Sequence, residues 1–226
     1  ERQLDGRASR MLRHSIEEKG IKIITEANTE ALIGKDGHVN QVRLKDGTVL
    51  DADLVVFAVG IRPNIALAQS AGLRCNRGIL VNDTMQTFDP SIYAVGECIE
   101  HRNQTFGLVE PLWGQAFICA THLAEHGSLT FKSPTVPTQL KVSGVDVFSA
   151  GNFEPKEDYE DIILNDEKRQ IYKRIIIQKD KVIGAVLFGD TEDGMWYAEL
   201  IADQTPISTF RNKLLFGKDF AMKKAG

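Results

Sequence analysis

The sequence predicts an α/β fold that becomes α+β in its last third, and three observations carry that expectation. Leu54 to Val59 is a continuous valine-rich run closed by Gly60, the pattern of a parallel strand covered on both faces. Thr87 to Glu97 is a turn running into a second short apolar strand that ends in Gly96 and Glu97. From Gln139 onward the texture changes to short apolar runs separated by turns, followed by a helical pattern.

Taken in order, Leu4, Ala8, Met11, Leu12 and Ile16 recur at helical spacing, and Gly20 sits where a left-handed residue would end the helix. A strand is expected over Ile21 to Thr25. Residues 28–50 alternate around two turn signals, Gly34 to Gly37 and Lys45 to Gly47, which reads as an antiparallel meander with polar edges. The central strand Leu54 to Val59 follows. Arg62, Pro63 and Asn64 break the chain, Ile65 to Ala71 forms a short helix before Gly72, and Gly78 to Val81 is a short strand. Leu112, Ala116, Ile118, Cys119 and Leu123 repeat at helical spacing over Leu112 to His126, with Pro111 near the helix start. Residues 127–137 contain Gly127, Pro134 and Pro137 and read as a linker. Five short strands are expected at 140–142, 145–148, 162–164, 172–178 and 182–188, with Lys179 and Asp180 as a hairpin turn. Helices are expected over Met195 to Asp203 and Thr209 to Phe216.

Composition narrows the function classes. At 226 residues the chain can bury one full core or be split between two or three small ones, and one compact domain is not the default. A net charge of -4 with 26% charged residues gives no basic surface for nucleic acid. No apolar run approaches the roughly 20 residues of a membrane helix, and no signal peptide is expected ahead of the first helical pattern. Cys75, Cys98 and Cys119 are an odd number at wide spacing, which argues against a disulfide framework and against a zinc or iron-sulfur site. A reducing, cytoplasmic compartment is expected.

Three segments have ends suited to a ligand. A glycine at the carboxyl end of a strand, as at Gly60 and Gly96, lets a bulky group approach the main chain. Glu97 adds a carboxylate able to accept from hydroxyls. The stretch Gly107 to Gln115 offers free N–H groups at a helix start, and Trp113 a ring to pack on another ring. Alone, the segment ending at Gly60 reads equally well as ordinary core, the carboxylate after Gly96 is less common by chance, and Gly107 to Gln115 reads better as an ordinary amphipathic helix. Together within some 55 residues they fit one extended cofactor better than coincidence.

These residues carry a resemblance. Val59, Gly60, Ile61, Arg62, Pro63 and Asn64, followed by Thr87 and then Ala94, Val95, Gly96 and Glu97, resemble two fingerprints of the FAD-dependent pyridine nucleotide-disulfide oxidoreductases. Ala94 to Cys98 with His101, and Gly107 to Trp113, look most like the flavoprotein part of NAD(P)H nitrite reductase large subunits. Glu1 to Asp5 and Leu140 to Gly151 are similar to that group as well.

The resemblance implies a partial FAD/NAD(P)-binding fold of two dinucleotide-binding domains plus a small reductase C-terminal domain. Residues 1–60 would complete the NAD(P)-binding domain, 61–132 the FAD-binding domain, and 133–226 the C-terminal interface domain. Gly96 and Glu97 would lie beside the ribityl chain of FAD, although most of the superfamily carries aspartate where Glu97 stands. Pro111, Leu112 and Trp113 would sit by the flavin pyrimidine ring, and Val59 and Gly60 would border the nicotinamide nucleotide. No G-x-G-x-x-G follows any strand, so the pyrophosphate cradles are expected upstream of Glu1. The implied function is electron transfer from NAD(P)H through FAD to an iron-sulfur and siroheme acceptor for nitrite reduction, in a homodimer. The alternatives are a rubredoxin or ferredoxin reductase, or a non-catalytic dimerisation module. No side chain of the chain is expected to be catalytic and none to bind metal. The five histidines are expected on helix surfaces and loops, Cys98 as a small buried filler, and Trp196 and Tyr197 as core or subunit contacts.

Overall fold

The computed structural model describes residues 3–125, 129–134, 137–142, 144–153 and 157–223. The chain folds as two compact units, one of residues 21–62 and one of residues 1–20 and 63–226. Positions 127, 128, 135 and 136 of the expected linker, and His126 before it, lie outside the described residues.

The smaller unit is the expected meander: β1 (Thr29–Lys35), β2 (His38–Leu44) and β3 (Val49–Asp51) pair antiparallel in that order. Asp36 and Gly37 both have positive φ, as the two central residues of a tight hairpin require. Cross-strand polar pairs, Arg43 with Glu30 at 2.8 Å and Gln41 with Asp51 at 3.1 Å, line its exposed surface. Two expected strands do not form. Ile21 to Ile24 is irregular, and Leu54 to Val59 runs without any ladder partner among the described residues. Leu54, Val56, Phe57 and Val59 are 79%, 76%, 66% and 88% exposed. The apolar run supplies the side chains of a central strand, but a parallel strand exists only when neighbours on each side satisfy its N–H and C=O groups.

In the larger unit, α2 (Ala66–Ser70) leads to a small sheet in which β4 (Ile79–Val81) pairs parallel with β5 (Ile99–His101), and β5 antiparallel with β6 (Gln104–Thr105). Helix α3 (Val109–Leu123) follows, starting three residues before the expected position and ending three before it. Its Ile118 and Cys119 pack with Met85, Ile99, Phe106 and Phe131 in a core of their own.

The C-terminal part is an antiparallel sheet of five strands, β7 (Thr138–Val142), β8 (Val145–Gly151), β9 (Glu160–Asp166), β10 (Ile171–Gln178) and β11 (Lys181–Phe188), in spatial order β7-β8-β11-β10-β9. All five were expected. Lys179 and Asp180 form the β10-β11 turn with φ of 49° and 61°. Gly184 of β11 is opposite Gly151, and a Cβ on Gly184 would lie 2.0 Å from the carbonyl oxygen of Asn152. One face of the sheet buries Phe148, Ile175 and Leu187 against α4 (Gly194–Asp203), the 3-10 turn Arg211–Phe216 and α5 (Lys218–Met222). Trp196 and Tyr197 of α4 belong to this core, and the Tyr197 hydroxyl donates to the carbonyl of Leu214 at 2.7 Å.

The opposite face packs against α1 (Gly6–Glu17), whose Ala8 is enclosed by Val145, Val147, Tyr172 and Val186. Asp5 caps α1 by accepting from Arg7 N and Ala8 N at 3.1 and 2.9 Å. Its other oxygen accepts from the Tyr172 hydroxyl at 2.8 Å and from Arg174 at 3.3 Å, so one carboxylate ties the helix start to β10. Burial, and then this bond to Asp5, push the Tyr172 phenol up from its ordinary value.

Candidate functional site

The site is built from the Thr87 to Glu97 segment and the start of α3. Ahead of it, Asn82 Oδ1 accepts from Thr84 N and Gln86 N at 2.9 and 3.0 Å, a side chain standing in for a turn of backbone. Thr87 is buried; its N–H donates to Ile92 O at 2.9 Å and its hydroxyl to Asp89 O at 3.1 Å, closing the loop over Asp89 and Pro90. The chain then runs extended. The expected strand ending at Gly96 is reduced to one bridge between Gln86 and Tyr93, and the ladder begins only at Ile99, beyond the glycine. The backbone of Val95 and Gly96 is therefore not consumed by a sheet. Gly96 has φ of 105°, and a Cβ there would meet nothing within 4 Å. The glycine serves its conformation, and the space beside it is open.

Gly96 N–H donates at 2.8 Å to Oε1 of Gln115, one turn beyond Pro111 on α3. This bond brings the Gly96–Glu97 turn and the helix start together. Glu97 is exposed, and among the described residues its carboxylate has no hydrogen-bond or ion-pair partner. The α3 N-cap is Leu108, which offers no side-chain acceptor to the first-turn N–H groups. Pro111 is buried, Leu112 packs on the core, and Trp113 is 73% exposed. Cys98 is half-buried rather than buried, with its thiol 3.5 Å from Val95 O.

Of the seven expected site residues, Gly96, Glu97, Pro111, Leu112 and Trp113 fall in the larger unit, while Val59 and Gly60 belong to the smaller one. The expectation that every histidine is superficial fails at His101, which is buried on β5. His101 Nε2 is 2.8 Å from Asp83 Oδ1, and Arg102 donates to the same carboxylate at 2.9 and 2.6 Å. Arg102, and then His101, hold the Asp83 carboxyl at about 2. Next to it, buried Glu100 accepts from Arg77 N, Gly78 N and Asn76 Nδ2 at 2.8, 3.1 and 3.1 Å, pinning the approach to β4. Gln115 was not anticipated. Its signal was a polar residue on the apolar stripe that Pro111, Ile118 and Cys119 define.

A family model described as pyridine nucleotide-disulphide oxidoreductase matches residues 1–116, just over half of the chain. The chain belongs to the pyridine nucleotide-disulphide oxidoreductase family. A second model, the rubredoxin NAD+ reductase C-terminal domain, matches residues 137–205 and so covers the five-stranded sheet and α4. Within the family, the chain is 47% identical over 208 residues to a nitrite reductase [NAD(P)H] of Bacillus subtilis, covering 92% of this chain and 26% of that protein. It is 39% identical over 215 residues to an assimilatory nitrate reductase electron transfer subunit of the same organism, covering 95% and 28%. Among solved structures, a FAD-dependent pyridine nucleotide-disulphide oxidoreductase from Desulfovibrio vulgaris is 27% identical with a TM-score of 0.74, over 93% of this chain and 57% of that one. A NAD-dependent persulfide reductase from A. fulgidus is 25% identical with a TM-score of 0.78, over 93% and 43%. The chain thus spans about a quarter of the length of these two curated relatives.

Proposed function

We propose that the chain carries the ribityl and pyrimidine side of an FAD site in an NAD(P)H-dependent flavoprotein that passes electrons to an iron-sulfur and siroheme acceptor for nitrite reduction. The observation that carries this reading is the Gly96–Glu97 turn, hydrogen-bonded through Gln115 to the first turns of an uncapped helix. The residues fit the cofactor. Open space beside Gly96 admits a polyol chain, and the unpaired Glu97 carboxylate is an acceptor for its hydroxyls. Free N–H groups at the α3 start favour negative charge on a ring oxygen. Pro111 and Leu112 would line the pyrimidine edge, and Trp113 offers an exposed ring beside it. Val59 and Gly60 would border the nicotinamide nucleotide.

The chemistry the bound flavin supplies is acceptance of hydride and release of electrons one at a time. The chain's own residues bind and orient. The Gly96 N–H is spoken for by Gln115, so the turn keeps its shape, and the dipole of α3 favours the more negative form of whatever rests on its start. The domain reading assigns residues 1–60 to the NAD(P)-binding part, 61–132 to the FAD-binding part and 133–226 to an interface domain that supports a homodimer in the cytoplasm. No helix among the described residues is long and apolar enough to cross a membrane.

The test uses protein produced from the complete gene. A bound flavin spectrum that NADH or NADPH bleaches under anaerobic conditions, and that nitrite restores, is the expected result. A colourless protein that takes up no added FAD would refute the reading. A second reading, a rubredoxin reductase, is favoured by the C-terminal match. In that case reduced rubredoxin accumulates and nitrite does not reoxidise the flavin. Sedimentation of the same preparation checks the dimer.

A further inference from the structure

Two buried side-chain atoms among the described residues lack a hydrogen-bond partner, His101 Nδ1 and Gln115 Nε2. The first belongs to a ring whose other nitrogen, Nε2, is engaged with the Asp83 carboxylate and which packs edge-on against Phe131. The second is a donor, and a buried donor without an acceptor is the costlier case.

Gln115 is fully buried, at 0% exposure. The Gly96 N–H is a donor, so the amide oxygen must face it and the NH2 must occupy the other end. The orientation of the amide is therefore set by the backbone. The oxygen holds a glycine whose conformation side chains rarely adopt, and it does so from the helix turn that carries Pro111 and Leu112. A leucine or methionine would fill the same core position without the penalty of an orphan NH2. That a glutamine stands there points to a task for both ends.

We propose that Gln115 is the positioning residue of the flavin site: its carbonyl fixes the Gly96–Glu97 turn against α3, and its NH2 is a donor reserved for an oxygen of the bound dinucleotide. This rests on the FAD reading given above. Gln115 acts through Gly96 on one side and as a neutral donor on the other, so its loss alters how tightly the flavin is held and which redox state is favoured.

Two variants separate the ends. Gln115→Met keeps the volume and removes both ends. Gln115→Glu keeps an acceptor for Gly96 and replaces the donor with a carboxylate. In protein from the complete gene, FAD affinity is measured by fluorescence after flavin removal, and the reduction potential by equilibration with a reference dye. The Met variant is expected to bind FAD at least tenfold more weakly. The Glu variant, with a negative charge where a donor stood, is expected to have a more negative potential and an altered visible flavin spectrum. Should the Met variant fail to fold, the Glu variant alone decides. A Glu variant whose affinity, potential and spectrum all match the parent overturns the proposal, as does a Met variant that melts earlier but holds FAD unchanged. Those results leave the parent a flavoprotein. A parent that binds no FAD overturns the flavin reading itself.

Discussion

Glu100 allows the most direct quantitative test. Its carboxylate is 1% exposed and accepts three hydrogen bonds, from Arg77 N, Gly78 N and Asn76 Nδ2, while the Arg77 guanidinium stands 4.0 Å away. Burial alone would raise its pKa, but the bonds from Asn76, Gly78 and Arg77 outweigh burial and the net shift is downward from the ordinary 4.5. Glu100→Ala strands the buried Gly78 N–H, at a cost of about 1–3 kcal/mol, and gives up two partly exposed bonds worth ~0.5–1.5 kcal/mol each. The total is about 4 kcal/mol, or roughly 8–16 °C in Tm for a chain of this size. Glu100→Gln keeps one acceptor and should lose less. Because the folded-state pKa lies below the unfolded one, the charge contribution is fully present above pH 4.5 and fades as pH falls through the folded value. Urea unfolding followed by circular dichroism should therefore show a parent-minus-Gln gap that is constant from pH 6 to 8 and closes in acid. A Gln variant as stable as the parent at pH 7, or a gap unchanged at pH 3, would refute the assignment of a buried, hydrogen-bonded carboxylate.

Three further outcomes follow from the same structure. Tyr172→Phe removes the 2.8 Å bond to Asp5 and should cost about 1 kcal/mol in urea unfolding, leaving the sheet intact. Gly184→Ala places a Cβ 2.0 Å from the Asn152 carbonyl oxygen and should destabilise by about 3 kcal/mol or fail to yield soluble protein, whereas Gly20→Ala meets no neighbouring atom but has a φ of 83°, so it should cost only the backbone strain of that conformation, about 1 kcal/mol. Asp83 is held at about 2 by Arg102 and His101, so its stabilising effect should persist from neutral pH to well below the usual carboxylate range and disappear as pH falls through about 2; carbon-13 NMR of its carboxyl reads this directly.

The antiparallel C-terminal sheet was readable because its code is local: alternating apolar residues, with Lys179 and Asp180 at a two-residue turn, fix pairing between adjacent segments. Leu54 to Val59 shows the opposite case. Its composition reports the environment a strand wants, while its partners would be distant in sequence, so hydrophobicity alone cannot create the ladder. At Thr87 to Glu97 the motif was visible and its geometry was not. The ladder begins at Ile99 because β5 pairs with β4, a non-local choice, and this leaves Gly96 free for Gln115. Gln115 itself was hidden because a glutamine on a helix reads as surface until its neighbours are known to be buried.

The Asp5 carboxylate also sets an order of events. Its partners Tyr172 and Arg174 lie 167 and 169 residues further along the chain. On a ribosome adding about 5–20 residues per second, α1 has no sheet to dock on for roughly 10–30 seconds after its own synthesis. During that time Ala8, Met11 and Leu12 have no core to join, and a helix of 12 residues is marginal in water by itself. A helix made well before its partners is thus secured only once the sheet exists, and chaperones and proteases meet it in that interval.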